Sequence, residues 1–246
     1  MLYAIYFSPT DGTKKCVLEI VSSMNQNYKI IDLTKSAARE QKYSFIADDK
    51  VVIGMPVYCS RLPQFTHFLR NMKGNGAKAV LVAAYGNNKF GDALLELNCQ
   101  AVQVGFQPVA GAAMLAPHCF IPEEVCSDRP NAADHKLILE FVSKIDWDKK
   151  EILSVPGAFP YRPYPASFPF LPETTDGCTH CRICEEICPV GAIKNGKTDA
   201  TKCIRCMACV KNCPNHCRQV NSDAFRASQQ RMLLTNEVYK TPEFFY

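Results

Sequence analysis

The residues of this chain with the clearest potential for chemistry are cysteines with a strict spacing. Eight of the fourteen cysteines form two copies of one pattern, C-x2-C-x2-C-x3-C-P. The first copy contains Cys178, Cys181, Cys184 and Cys188, and the second contains Cys203, Cys206, Cys209 and Cys213. This run is typical of two [4Fe–4S] clusters, where the fourth cysteine of each run ligates the other run's cluster.

The crossing rule predicts a definite set of ligands for each cluster. The first cluster is predicted to take Cys178, Cys181, Cys184 and Cys213, and the second to take Cys203, Cys206, Cys209 and Cys188. A zinc ribbon is an alternative, but its paired cysteines require neither a third evenly spaced cysteine nor a Cys-Pro. A disulfide framework is another alternative, and it suits small secreted chains. Because these clusters carry single electrons at low potential, the sequence predicts electron transfer.

The rest of the chain divides into segments of different character. Residues 1–147 alternate between strand-like and helix-like patterns, with strands predicted at 2–7, 28–33, 51–54, 79–84 and 108–114. Helices are predicted at 14–24, 62–71, 91–104 and 131–145. This alternation predicts an α/β domain with a doubly wound, parallel, five-stranded sheet that is covered on both faces.

A proline- and aromatic-rich linker is predicted at residues 148–175. Prolines and aromatic residues alternate over 155–172, so the segment is either a strap that packs on a domain surface or a flexible spacer. Residues 176–217 are predicted to form a small α+β two-cluster domain, with an internal repeat of 25 residues measured from Cys178 to Cys203. Residues 218–246 are predicted to form a docked tail with a helix at 224–234.

A second cofactor site is predicted where three loops follow strands of the sheet. The turn after the first strand contains Ser8, Thr10, Asp11, Gly12 and Thr13 directly before a helix. Hydroxyl groups and backbone N–H groups at a helix N-terminus suit a phosphate group, although an ordinary capping turn is the alternative. The later loops contain Pro56, Val57, Tyr58, Cys59, Ser60 and Arg61, and Tyr85, Gly86, Asn87, Asn88 and Phe90. In an open α/β sheet such loops converge at the carboxyl edge of the strands.

Together the three loops resemble the flavodoxin family, whose phosphate loop is usually [ST]-x-T-G-x-[ST]. Ser8, Thr10 and Thr13 match this pattern, whereas Asp11 replaces the usual glycine and Gly12 lies beside it. The resemblance implies that FMN binds here, with Tyr58 as a candidate stacking ring. With the cysteine runs added, the whole chain resembles the flavodoxin–ferredoxin fusion proteins of anaerobic microbes. This second resemblance implies a flavodoxin-like domain followed by a small ferredoxin-like domain.

Composition and charge limit the partners. The formal charge of +4 omits about −2 for each oxidised cluster and about −2 for a flavin phosphate, so the loaded protein is expected to be near neutral or slightly acidic. Nucleic acid and membrane partners are therefore not expected, and no apolar stretch is long enough to span a bilayer. The N-terminus reads as a strand and not as a signal peptide. A cytoplasmic and anaerobic setting is expected.

The preferred function is electron transfer between two [4Fe–4S] clusters and FMN in one chain, with redox proteins as partners. One alternative is an FMN-dependent reductase of a small molecule, for which the cluster domain would be the electron inlet. Another is an electron-transfer subunit of a larger complex. No catalytic residue is indicated by the sequence. Cys59 is expected to be a bystander in its loop, and Cys217 is not expected to be a ligand, while His180 and His216 either tune the clusters or are solvated.

Overall fold

The computed structural model describes residues 1–64, 68–235 and 240–246, except for the side chain of residue 235, and its largest element is a six-stranded sheet. The strands are β1 Leu2–Tyr6, β2 Tyr28–Asp32, β3 Tyr43–Ser44, β4 Lys50–Pro56, β5 Met72–Lys73, β6 Lys78–Tyr85, β7 Gln107–Leu115, β8 Glu173–Thr174, β9 Ile193–Lys194, β10 Lys197–Thr198, β11 Arg218–Gln219 and β12 Glu243–Phe245. The helices are α1 Gly12–Ser23, α2 Ser36–Glu40, α3 Ala93–Gln103, α4 Ala132–Ser143, α5 Ile183–Glu186, α6 Ala208–Lys211 and α7 Asp223–Thr235.

The strand order of the large sheet is β2-β1-β4-β6-β7-β12. The first five of these strands are parallel, and this confirms the predicted doubly wound sheet. Their order, counted along the five parallel strands, is 2-1-3-4-5, which is the flavodoxin-like arrangement with its switch point next to the first strand. The sixth strand, β12, was not predicted, and it pairs antiparallel to β7 with Phe244 opposite Ala112.

Both faces of the parallel sheet are buried, because helices cover each of them. Along β1, Leu2, Ala4 and Tyr6 join one apolar core with residues of α1 and α4. Ile5 and the following Phe7 join a second core on the opposite face, against α3. Successive side chains of a strand point to opposite faces, and helices on both sides explain why these strands are almost continuously apolar.

The prediction of a helix at residues 62–71 is wrong for the residues of this range that the structure describes. The described residues 68–70 form turns, and residues 65–67 of the predicted helix lie outside the described residues. The backbone of Leu62 is held by side chains from elsewhere, because its N–H donates to Glu96 Oε2 at 3.1 Å and its carbonyl accepts from the Tyr164 hydroxyl at 2.6 Å. An unpredicted short helix, α2, lies further upstream.

The cysteine-rich part repeats its backbone conformation. Left-handed φ values occur at His180 and Arg182, and again 25 residues later at Arg205 (55°) and Met207 (61°). Each pair precedes a four-residue helix, α5 or α6. The short strands β8 to β11 form two antiparallel pairs beside these helices. The two halves therefore have the same local fold, as the spacing of the cysteines predicts.

The proline-rich segment lies against the first domain. Asp92 accepts hydrogen bonds from the backbone N–H groups of Ala158 at 3.1 Å and Arg162 at 2.7 Å. The guanidinium of Arg61 lies 4.5 Å from the ring centres of both Tyr161 and Tyr164. These contacts support the interpretation of the segment as a strap. In the described part of the chain, no helix has the length and apolar character needed to cross a membrane.

Candidate redox site

Four cysteines from both runs surround one cavity in the C-terminal part of the chain. The cavity has a volume of about 240 Å³ and is lined by Cys178, Cys181, Cys184 and Cys213, with Cys217 beside them. Cys213 belongs to the second run, so the backbone already brings the crossed set together. Ligation by these four thiols stays a prediction.

The second set of cysteines is more deeply buried. Cys206 and Cys209 are buried, and burial is the main reason that the pKa of the Cys206 thiol lies well above its usual range, with the neighbouring thiols of Cys209 and Cys188 raising it further. Burial also raises the pKa of the Cys203 thiol, and Cys188 again adds to the effect. Cys188 from the first run therefore lies near the three cysteines of the second run, as crossing requires.

Arg218 provides a test of whether this site fits an anionic cluster. The side chain is buried, and its guanidinium donates to neutral oxygens, among them Thr174 Oγ1 and Pro172 O at 2.8 Å, and lies 3.9 Å from Cys209 Sγ. Its Nε has no hydrogen-bond partner among the residues that the structure describes. A buried charge is costly unless an opposite charge compensates it. Two thiolate-ligated clusters of net negative charge would supply that compensation, so the residues fit the group.

Cys188 and Cys213, the cysteines that are predicted to ligate the other run's cluster, each accept a hydrogen bond from a backbone N–H group. The N–H of Ala192 donates to Cys188 Sγ at 3.2 Å, and the N–H of Cys217 donates to Cys213 Sγ at 3.2 Å. Cys217 thus occupies the position that Ala192 has in the first half, and its thiol donates to Asn215 O at 3.3 Å. Such N–H groups favour the thiolate form and influence cluster potential. His180 and His216 are exposed.

The described residues hold no group of three or more His, Cys, Asp or Glu side chains arranged for a single metal ion. A cubane cluster instead takes four thiolates.

The turn between β1 and α1 forms a narrow cavity at the carboxyl edge of the sheet. The cavity has a volume of about 50 Å³, and its lining includes Ser8, Thr10, Gly12, Thr13 and Pro56. The first N–H groups of a helix have no intrahelical partner. The N–H of Lys14 donates to Ser8 Oγ at 2.9 Å, and Gly12 and Thr13 at the start of α1 line the cavity. Ser8 and Thr13 are buried. The arrangement suits a phosphate group.

A larger cavity of about 280 Å³ adjoins the narrow one, because both are lined by Val57, Tyr58, Tyr85 and Gly86. The predicted residues Cys59, Ser60 and Asn88 also line it. Its lining also includes Phe168 and Phe170 of the strap and Ile204 and Arg205 of the cysteine-rich domain. Small-molecule pockets have volumes of roughly 300–1,000 Å³, so the two cavities together have the size of a cofactor site with aromatic walls.

Among the lining residues of the larger cavity that were not predicted from the sequence are His118, Cys119 and Phe120. Burial lowers the pKa of His118 to about 4, and its Nδ1 accepts a hydrogen bond from the N–H of Phe120 at 3.2 Å. The neutral ring therefore carries its proton on Nε2. These residues follow the carboxyl end of the fifth parallel strand, and that position alone could have indicated them.

Four predicted site residues do not appear in the lining of these cavities. Asp11 has a left-handed φ of 67°, and its carboxylate pairs with Lys211 of the cysteine-rich domain. Arg61 pairs with Glu96, and Asn87 is buried and accepts from the N–H of Lys240 through Oδ1. Phe90 packs on Tyr85 and Phe245. These four residues hold the loops and the tail in place.

Cys59 is exposed and has a left-handed φ of 54°. Its pKa is raised by desolvation, which outweighs the opposing charge of Arg162. A thiol with a raised pKa is a weak nucleophile at neutral pH. This agrees with the interpretation of Cys59 as a bystander.

Comparison with known proteins identifies the C-terminal part. The family described as "4Fe-4S binding domain" matches residues 174–194 and 197–219. Ferredoxin-2 of Chlorobaculum tepidum is 42% identical to this chain, over 18% of this chain and 86% of that protein. The family match extends two residues beyond the predicted limits of 176 and 217 on each side.

Solved structures resemble the N-terminal part more distantly. A flavodoxin of Streptococcus pneumoniae TIGR4 is 15% identical and covers 58% of this chain and 97% of its own, with a TM-score of 0.39. A flavodoxin from the domain Archaea is 14% identical, with coverages of 58% and 98% and a TM-score of 0.36. Azoreductase AzrA is 15% identical, with coverages of 59% and 100% and a TM-score of 0.38. The fold assignment rests on the strand order of the sheet.

The fold and the paired cysteine runs define a two-domain iron–sulfur redox protein. Through its C-terminal domain the chain belongs to the ferredoxin family of 4Fe-4S binding proteins, and its architecture is a flavodoxin–ferredoxin fusion.

Proposed function

We propose that this protein transfers electrons between two [4Fe–4S] clusters and one FMN that are bound in the same chain. One observation carries this proposal: Ile204 and Arg205, which lie between Cys203 and Cys206, line the same cavity as Tyr58 and Gly86. The predicted site of the second cluster therefore shares a wall with the predicted flavin cavity. Burial, with thiols including Cys206 as neighbours, raises the pKa of Tyr58 well above its usual range.

The chain's own residues bind and shield the proposed flavin. The start of α1 and the hydroxyls of Ser8, Thr10 and Thr13 would hold the phosphate. Phe168 and Phe170, which line the cavity, would exclude water from the ring. A bound flavin supplies exchange of one or two electrons, and the clusters supply exchange of one.

The two predicted cluster sites differ in exposure, and this supports a place for partner proteins. Cys181 of the first site is exposed, whereas Cys206 and Cys209 of the second are buried beside the cavity wall. We propose that redox proteins exchange electrons with this chain at the face around Cys181. A cytoplasmic location is part of the proposal, because it keeps the thiols reduced.

Cofactor analysis after anaerobic purification tests the proposal. We expect about eight iron atoms and about one FMN per chain, as two cubane clusters and one switch-point site require. Zinc in place of iron would contradict the cluster half of the proposal. Protein without flavin that does not bind added FMN would contradict the other half.

A second candidate function is the FMN-dependent reduction of a small molecule, with the ferredoxin domain as the electron inlet. The observation that favours it is a groove of about 780 Å³ that shares Cys59, Ser60 and Asn88 with the proposed flavin cavity. A carrier that serves proteins alone does not need such a space. Reoxidation of the reduced protein by small acceptors that saturates with acceptor concentration would favour the reductase, and a strictly linear dependence would favour the carrier.

A further inference from the structure

The groove beside the proposed flavin cavity is built by three separate segments of the chain. Residues 59, 60, 88 and 89 belong to the two loops at the sheet edge, residues 162–165 belong to the strap, and residues 228, 231 and 232 belong to α7. The edge residues and two residues of α7, Ser228 and Met232, also line the flavin cavity. A molecule bound in the groove would therefore lie next to that cavity.

The charged residues that the structure describes in the lining of the groove are all basic. Lys89, Arg162 and Arg231, one from each segment, line it, and no acidic residue is among the described residues of its lining. The carboxylate of Asp92 also lies beside the groove, and its two oxygens accept from the N–H groups of Ala158 and Arg162. Among the described residues, the lining of the groove therefore has an excess of positive charge.

We propose that this groove binds a small organic anion through a carboxylate or phosphate group. Planar guanidinium groups match both anions with paired hydrogen bonds, and the volume lies within the roughly 300–1,000 Å³ that is usual for small-molecule pockets. This proposal rests on the proposed function, because it takes the neighbouring cavity to be the flavin site. It also names the class of small molecule that the second candidate function, the reductase, requires.

A pair of size-matched probes tests the charge preference directly. Oxidised holoprotein is dialysed to equilibrium against 2-naphthoate or against its neutral amide, 2-naphthamide. We expect the carboxylate to bind about ten- to a hundredfold more tightly, because hydrogen bonds to charged groups contribute about 1.5–3 kcal/mol. We also expect this preference to weaken as the salt concentration rises. Equal affinities for the two probes would overturn the proposal.

Single variants locate the binding. Arg162→Gln and Arg231→Gln should each weaken naphthoate binding about tenfold and leave naphthamide binding unchanged. Arg226→Gln is the matched control, because Arg226 lies on the same helix, pairs with Asp223 and does not line the groove. If all three variants bind naphthoate equally, the anion is not held in the groove and the proposal is wrong.

Measurements with and without FMN separate this proposal from the proposed function. One outcome is that the flavin-free protein does not bind added FMN but still prefers naphthoate to naphthamide. This would support the anion site and reject the flavin. Tight FMN binding without any naphthoate preference would reject the anion site and leave the proposed function intact.

Discussion

The Nζ atom of Lys211 lies 2.6 Å from Oδ2 of Asp11 and 3.0 Å from the carbonyl oxygen of Thr10. Lys211 lies between the predicted ligands Cys209 and Cys213, whereas Asp11 and Thr10 lie in the predicted phosphate loop. The ion pair therefore connects the two domains at both predicted cofactor sites. Its side chains are about half exposed, so its own contribution to stability is about 0–1 kcal/mol. Its main effect is to hold the Asp11 carboxylate and a compensating ammonium group at the loop.

Lys211→Ala should weaken FMN binding roughly fivefold, because two charges 4 Å apart in water interact by about 1 kcal/mol. The affinity for riboflavin, which lacks the phosphate, should not change. Titrations of flavin-free protein with both ligands measure this, with Lys194→Ala as the control, since Lys194 is an exposed lysine of β9. Equal losses of FMN and riboflavin affinity would mean that the variant disturbs the loop as a whole.

Cys213→Ala should remove the cluster predicted for Cys178, Cys181 and Cys184, although Cys213 belongs to the other run. The iron content should fall from about eight to about four atoms per chain, and the remaining spectroscopic signal should be that of the second cluster. Cys217→Ala is the control. It retains the backbone N–H that bonds to Cys213 Sγ, so both clusters should survive. Loss of the second cluster in Cys213→Ala would refute the crossed ligation.

Arg218→Gln should lower the reduction potentials of the clusters, and more so for the cluster near Cys209, whose Sγ lies 3.9 Å from the guanidinium. Reduction adds negative charge, which a buried cation stabilises. A tenfold change in a one-electron equilibrium corresponds to about 59 mV, and we expect a shift of at least about this size. Potentiometric titration monitored by electron paramagnetic resonance measures it.

Arg218→Lys tests whether charge is the cause. The lysine keeps the charge but makes fewer hydrogen bonds, so the potentials should remain closer to wild type than in Arg218→Gln. Equal shifts in the two variants would show that Arg218 acts by shaping the domain through its hydrogen bonds to Pro172 and Thr174.

The elements that the sequence predicted well are those with a strong local pattern. The five parallel strands and the repeat of the cysteine domain follow from apolar runs and from spacing, which are properties of neighbouring residues. Strand β12 has only three residues, Glu243–Phe245, and its pairing with β7 depends on contacts far along the chain, such as the stacking of Phe244 on Phe141 at 4.5 Å.

The candidate site was predicted only where a motif marked it. The phosphate loop and the cysteine runs have recognisable patterns, whereas His118 carries no such signal and enters the site through its position after β7. Asn87 and Phe90 lie in a predicted loop, but their side chains contact the tail, Asn87 at Lys240 and Phe90 at Phe245. A loop sequence does not indicate the side to which each side chain points, because that depends on which tertiary contacts bury it.

The free energy of unfolding should fall on acidification because of His118. Its pKa is about 4 in the folded protein and about 6.5 when unfolded, so the unfolded chain binds more protons between these values. Stability is therefore fully present above about pH 6.5 and decreases as the pH falls towards 4. At about pH 5 the expected loss is roughly 2 kcal/mol.

The variant His118→Asn isolates this contribution, because an amide oxygen can replace Nδ1 as the acceptor for Phe120 and does not titrate. Urea unfolding at about pH 7.5 and about pH 5 should show a smaller loss of stability in the variant than in wild type. If both proteins lose the same amount, His118 is not the group that titrates in this range.

Electron exchange between the domains should occur within one molecule, because the strap and the wall formed by Ile204 and Arg205 hold them together. After rapid photoreduction of the clusters, the flavin absorbance should change at a rate that is independent of protein concentration, since fusion raises the effective concentration of each partner. A rate proportional to concentration would mean that neighbouring molecules reduce the flavin.

Removing the two rings that lie on Arg61, with Tyr161→Ala and Tyr164→Ala together, should slow the internal step, because the strap then loses these anchors. The control is Phe159→Ala, which removes a ring of the same strap that is 68% exposed. If the double variant reacts as fast as this control, the strap is a spacer and the interface between the domains alone sets their geometry.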